Sequence, residues 1–200
     1  MSQAKERPIL FSGPMVRAIL GGRKTVTRRA VKMTDLLRVC LEPQEGDLKL
    51  KAAGKLCPFG RPGDRFWVRE TCFINDYRQV NAPVYERSHV EVVYRADPLP
   101  DWEGEESLIT WRPSIHMPRW ASRILLEITA VRVERLQDIT EEQALAEGVM
   151  SAERDIDPDG NGYSPCELFG GLWTMINGME SWRANPWVWV VEFKRIEPCA

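Results

Sequence analysis

The run Ile124-Leu125-Leu126-Glu127-Ile128-Thr129-Ala130-Val131-Arg132-Val133-Glu134-Arg135-Leu136 constrains the fold of this chain more than any other segment. It is the clearest strand material present, rich in branched apolar residues that suit a pleated surface. It is also too long for one flat strand, so it must bend. Shorter apolar segments surround it. Pro8 to Phe11 reads as a buried strand, and Arg65 to Cys72 alternates Phe66, Val68, Glu70 and Cys72 against Arg65, Trp67, Arg69 and Thr71. Val90 to Tyr94 and Trp187 to Phe193 are further strands. Helices are predicted from Ser12 to Leu20, with Pro14 in the first turn, and over 140–147 and 166–177. Asp138-Ile139-Thr140-Glu141-Glu142-Gln143 carries two overlapping capping-box patterns, and Gly148 is a stop. Arg61-Pro62-Gly63-Asp64 has the proline and glycine order of a type II turn. Residues 40–62, 97–110 and 150–164 read as loops. Short strands interspersed with a few helices make the chain α+β, with a mixed, mostly antiparallel sheet curled around one core.

A chain of 200 residues suffices for one well-buried domain, and neither an internal repeat nor a linker divides it. No apolar run approaches the roughly 20 residues a bilayer span requires, and the start MSQAKERPILF lacks a signal-peptide pattern. The five cysteines form no C-x-x-C, and only two histidines could assist them, so neither a zinc cage nor a disulfide scaffold is expected. Reduced thiols of a cytoplasmic protein are the reading. The formal charge of −2 conceals a division: residues 1–72 carry net +8 and residues 73–200 net −10. A basic region on a near-neutral protein suits an anionic partner met by one face.

That basic region centres on Gly21-Gly22-Arg23-Lys24-Thr25-Val26-Thr27-Arg28-Arg29, with four cations and two threonines in nine residues. The two glycines end the preceding helix, and Thr25-Val26-Thr27 favours extended chain. A phosphate loop fails on spacing, because Arg23 separates glycine from Lys24. Asp155, Asp157, Asp159 and Gly160 begin like a calcium loop but lack suitable flanking helices, so a flexible acidic loop is favoured. His116 reads as a structural hydrogen-bonder. Its surroundings, Trp111 to Arg123, interleave arginine and tryptophan as a single-stranded RNA surface does, although packing explains tryptophans equally well.

As a catalytic centre, the stretch offers Thr27, a weak nucleophile until a base takes its proton. Lys24 can be that base only when neutral, which burial and the charges of Arg23, Arg28 and Arg29 would promote. Residues 24 and 27 fall on opposite faces of a regular strand, so the chain must bend between them. A carboxylate is also needed. Read from the residues alone, Glu147 is a solvated helix end.

Three segments, Ala18 to Arg29, Pro62 to Glu70 and Val188 to Lys194, resemble the ASCH domain family over nearly the whole chain. Ser114 to Arg123 (SIHMPRWASR) is similar to the longer ASCH proteins of bacteriophages and prophages. The resemblance implies a PUA-like β-barrel with flanking helices, carrying insertions at about 30–62, 73–123 and 150–180. It implies an N4-acetylcytidine amidohydrolase activity without metal or organic cofactor, with Lys24, Thr27 and Glu147 catalytic and Arg29 beside them. The alternatives are a non-catalytic RNA-binding module, with Arg23, Arg28, Arg29, Arg69 and Arg119 on phosphates and Trp67 or Trp120 on bases, or a ribonuclease in the same basic cleft. The expected partner is a nucleoside or single-stranded RNA, with no membrane.

Overall fold

The structure, a computed structural model, describes residues 4–32, 34–35, 56–74, 92–98 and 109–197. In chain order its elements are β1 (Glu6–Leu10), α1 (Gly13–Leu20), β2 (Val26–Ala30), β3 (Arg65–Arg69), β4 (Cys72–Ile74) and β5 (Val92–Tyr94). They continue with β6 (Leu125–Arg135), α2 (Glu141–Ala146), α3 (Glu153–Ile156), α4 (Pro165–Asn177) and β7 (Trp187–Ile196).

The long strand does bend. β6 pairs antiparallel with β7 along its length, and its register shifts between Ile128 and Ala130. A bulge there increases the local twist and lets one strand serve both ends of a curled sheet. The sheet is mixed and five-stranded in the order β1-β3-β6-β7-β2, with β1 and β3 parallel. β4 and β5 form a separate antiparallel pair. The fold is therefore mixed α+β.

The backbone ladders among the described residues leave the sheet open, with β1 and β2 as its two edges. The edges still approach, because the Arg29 guanidinium of β2 donates to the Leu10 carbonyl at the end of β1 at 3.0 Å. A side chain, not a strand ladder, spans that gap, and a cleft lined from both edges opens beside it.

Both faces of β7 are buried, as its apolar run requires. Trp189, Val191 and Phe193 pack with Met15, Val16 and Ile19 of α1 and with Phe66, Val68, Leu126 and Ile128. Val188 and Val190 pack with Ala144 of α2 and Leu168, Phe169 and Trp173 of α4. Each fully buried side chain of this size contributes roughly 1.5–3 kcal/mol.

The expected turn precedes β3: Gly63 has φ +90° and the Asp64 N–H bonds the Arg61 carbonyl at 2.9 Å. Asp64 then ties the turn to β1 by accepting from Arg7 at 2.8 Å and from the Lys5 N–H at 3.1 Å.

Three expectations need revision. β3 ends at Arg69 and the chain resumes as β4, so 65–72 is not one strand. Trp67 on its polar side is buried, because Arg69 and Arg119 lie over its ring. The segment after Gly148 is not plain loop: a 3-10 turn at Val149–Ala152 and α3 occupy it, anchored by buried Val149 and Ala152. Val90 and most of 40–62 and 97–110 lie outside the described residues.

Candidate active site

The glycine-rich turn is built around one carbonyl. The Arg23 and Lys24 N–H groups both bond the Ala18 carbonyl, at 2.8 and 3.1 Å, while Gly21 and Gly22 bond Arg17 and Ile19. Gly22 takes φ +70°, which glycine adopts without the Cβ penalty. The chain is thereby turned off α1 and passed beneath the end of α2. There Lys24 forms an isolated antiparallel bridge with Glu147, and the Thr25 N–H bonds the Ala146 carbonyl at 2.8 Å. Gly148 makes this approach possible: it has φ +77°, and a Cβ on it would stand 2.7 Å from Ala18 Cβ and 3.0 Å from Lys24 Cβ.

The bend that the 24–27 spacing demands lies here. Lys24 belongs to the bridge, Thr25 to neither element, and β2 starts only at Val26. The lysine side chain folds forward so that Nζ donates to the Val26 carbonyl at 2.8 Å. It also donates to the Glu147 carbonyl at 2.8 Å and to Glu147 Oε2 at 2.7 Å. Lys24, Thr27 and Glu147 are each only 4% exposed, and all three line one cleft of about 390 Å³ between the β1 and β2 edges. The Thr27 hydroxyl has no hydrogen-bond partner among the described residues.

Burial pushes the Lys24 ammonium below the ordinary lysine value. The Glu147 carboxylate opposes this, and the Arg29 and Arg28 charges add to it. Three acceptors around Nζ favour the ammonium, so the resting pair is ionic, while desolvation narrows the gap to the neutral pair.

Glu147 has a second partner. Arg28 Nη1 reaches Glu147 Oε1 at 3.2 Å, and Arg28 Nη2 reaches Glu134 Oε1 at 2.5 Å and Gln143 Oε1 at 2.7 Å. Glu134 in turn accepts from Arg132 at 3.0 Å, and Arg132 pairs with Glu192. Alternating charges thus run from the cleft through the sheet, and Arg28 is a buried strut and not a surface phosphate contact. The helix that supplies Gln143 also uses it for its own capping box with Thr140.

Arg29 differs from Arg28. Burial lowers its pKa, the Glu147 charge partly offsetting the effect, and Nε is buried without a partner among the described residues. Lys24 and Arg29 both lie over the Phe11 ring, 5.4 and 5.7 Å from its centroid. The backbone amides at the glycines are consumed by α1 carbonyls, which leaves Arg29 as the donor available to a developing negative oxygen.

The other sequence-selected residues do not converge on the cleft wall. Arg23 is exposed and turns to the Ser151 hydroxyl at 3.4 Å. Arg69 donates to the Ile115 carbonyl and Arg119 pairs with Glu6 at 3.0 Å. With Trp67 covered, Trp120 is the exposed tryptophan of that set, at 60%. Of the 155–159 series, Asp157 is engaged, accepting from Asn161 and the Gly162 N–H, whereas Asp155 and Asp159 are exposed. Among the described residues no group of His, Cys, Asp and Glu could hold a metal ion, and no helix is long and apolar enough to cross a membrane.

Residue reading alone missed Phe11, Gln143, Glu134 and the wall formed by Phe169, Leu172 and Trp173 of α4. The spacing of Phe169 and Trp173 along an amphipathic helix was visible, but it signals burial and not a cleft.

No family model matches the chain, and neither a curated protein nor a solved structure matches it.

Proposed function

We propose that the chain is an ASCH-family protein of PUA-like architecture whose cleft hydrolyses the acyl amide of an N4-acylated cytidine. The observation that carries this reading is the meeting of Lys24 and Glu147, 123 positions apart, at 2.7 Å on a cleft that Thr27 also lines. A hydroxyl, a desolvated amine and a carboxylate lining one recess are the parts of an acyl-transfer site.

In this mechanism Lys24 passes a proton to Glu147 across their hydrogen bond and becomes a neutral amine. Thr27 Oγ1 attacks the acyl carbonyl as its proton moves to Lys24. The oxyanion forms against Arg29. The intermediate collapses as Glu147 protonates N4, which releases cytidine and leaves the acyl group as an ester on Thr27. Water then attacks the ester by the same exchange, with Lys24 taking its proton and Glu147 returning one to Thr27 Oγ1. The carboxylic acid departs and the ion pair is restored.

Incubation with N4-acetylcytidine, followed chromatographically, tests the reading. Cytidine and acetate should form, with Lys24→Ala and Glu147→Ala each slowed on the order of 10²–10⁴-fold. Absence of turnover, or turnover that both variants retain, contradicts it. Salt-sensitive binding of labelled RNA without turnover would favour the RNA-binding alternative, and strand cleavage the ribonuclease.

A further inference from the structure

The wall of the cleft facing Lys24 and Arg29 is supplied by α4, which falls in the 150–180 segment that the family resemblance marks as an insertion. α4 starts on a complete capping box, with Ser164 accepting from the Glu167 N–H and the Glu167 carboxylate accepting from the Ser164 N–H. Its position on the sheet is fixed by Leu168, Phe169 and Trp173 packing against Val188 and Val190. Phe169 is clasped between Trp173 and Trp182, each 6.2 Å away between ring centroids. The wall is therefore a rigid aromatic surface.

Trp173 lines the cleft, is 5% exposed, and its indole Nε1 has no hydrogen-bond partner among the described residues. A buried donor without an acceptor is costly, and phenylalanine would fill the same volume without that cost. Trp189 carries a second orphan indole nitrogen but lines none of the clefts described, lying in the core. Of the two, Trp173 is the one whose residue borders the cleft. Arg29 Nε is the other buried, unpartnered donor on the same cleft. Two donors that lack acceptors call for a ligand with two acceptor atoms.

We infer that Trp173 is a specificity-determining residue of this cleft, its indole N–H donating to a ring acceptor of the bound base. The inference takes its probe from the amide-hydrolase reading. In an N4-acylated cytosine the acyl oxygen meets Arg29, and the O2/N3 edge of the ring offers the acceptor for Trp173. A site built to satisfy a buried donor rejects ligands that lack the matching acceptor.

Two measurements on wild type and Trp173→Phe keep this inference separable from the reaction. The first is steady-state hydrolysis of N4-acetylcytidine; the second is calorimetric titration with cytidine, which retains the acceptor edge but has no amide to cleave. Trp173→Phe should raise KM and weaken cytidine binding about 10-fold with kcat little changed. Trp189→Phe, if it folds by circular dichroism, should leave both KM and cytidine binding unaltered. Equal cytidine binding by wild type and Trp173→Phe, or no cytidine binding by the wild type, overturns the inference. Absent turnover with the binding difference intact overturns the hydrolase reading instead and leaves the indole donor in place.

Discussion

Two buried carboxylates in this molecule are each held by cations, and they have opposite surroundings. Glu70 is gripped by Arg123 through both oxygens at 3.0 Å, and Asp97 takes the other side of the same guanidinium, which lies over the Tyr94 ring. Every edge of Arg123 is satisfied, and the cluster ties β3 to the chain after β5. Glu147 is held as firmly by Lys24 and Arg28, but its cluster borders a cleft where the Thr27 hydroxyl, Arg29 Nε and Trp173 Nε1 lack partners among the described residues. Saturated charge clusters specify structure, whereas a saturated pair beside unsatisfied groups has room for a ligand. Burial raises the proton affinity of Glu70, and Arg123 opposes it; in the other cluster burial acts on Lys24, the group whose proton the mechanism must move.

The largest expected effect separates the two clusters. Glu147→Ala leaves Lys24 and Arg28 buried without that carboxylate, and Glu70→Ala removes one of the two carboxylates on the half-buried Arg123. Glu147→Ala should cost roughly 3–5 kcal/mol by urea unfolding, and Glu70→Ala less, because Arg123 is half-buried and keeps Asp97. Only Glu147→Ala should slow hydrolysis of N4-acetylcytidine, on the order of 10²–10⁴-fold, while the Glu70 variant keeps the turnover of its folded fraction. Equal losses of turnover per folded molecule would erase the distinction.

A smaller effect is expected at Gly148. Gly148→Ala forces a positive φ on alanine and drives its Cβ into Ala18 and Lys24, at about 1–3 kcal/mol. The site should suffer beyond that loss, because the contact that seats Lys24 is displaced. Turnover corrected for unfolded protein reads this directly, and a wild-type kcat would contradict it.

The pH profiles should differ in sign. The reactive neutral pair holds the same proton as the Lys24–Glu147 ion pair, so kcat should fall as pH rises through the Lys24 value, which burial sets below that of an ordinary lysine. Asp64 concerns stability alone. Burial works against its ionised form, but Arg7 and the Lys5 and Arg61 N–H groups hold it below the usual carboxylate range. Its contribution is therefore complete above the unfolded carboxylate value and is lost as pH falls through the lowered folded value. Asp64→Asn should flatten that acid limb, a change of roughly 1–2 kcal/mol, and leave the kcat profile unmoved.

The parts of this molecule that were legible in its sequence are those governed by local chemistry. The bend in 124–136 follows from strand length, the ends of α1 and α2 from glycines and a capping box, and the turn before β3 from proline and glycine order. Lys24 and Thr27 could be singled out because they share one short stretch. Glu147 could not be read from its own segment, where Glu141 and Glu142 make the helix look solvated. Its burial depends on Gly148 letting the helix end settle on Lys24. Arg28 was misread as a surface contact because its carboxylate Glu134 and its amide Gln143 lie 106 and 115 positions away. The aromatic wall of α4 carries a burial pattern identical to that of any core helix, and only the gap left by the open sheet edges turns it into a cleft.

The central claim is that the hydroxyl between these charges does the chemistry. Replacement of Thr27 by alanine removes that hydroxyl from a position where it makes no hydrogen bond among the described residues, so the fold should tolerate it. Turnover of N4-acetylcytidine by wild type and Thr27→Ala at equal folded concentration is the deciding measurement. The expected result is cytidine formation by the wild type and a loss of about 10³-fold or more in the variant, with unfolding stability retained. Turnover by Thr27→Ala at the wild-type rate, or none by the wild type, would contradict the account.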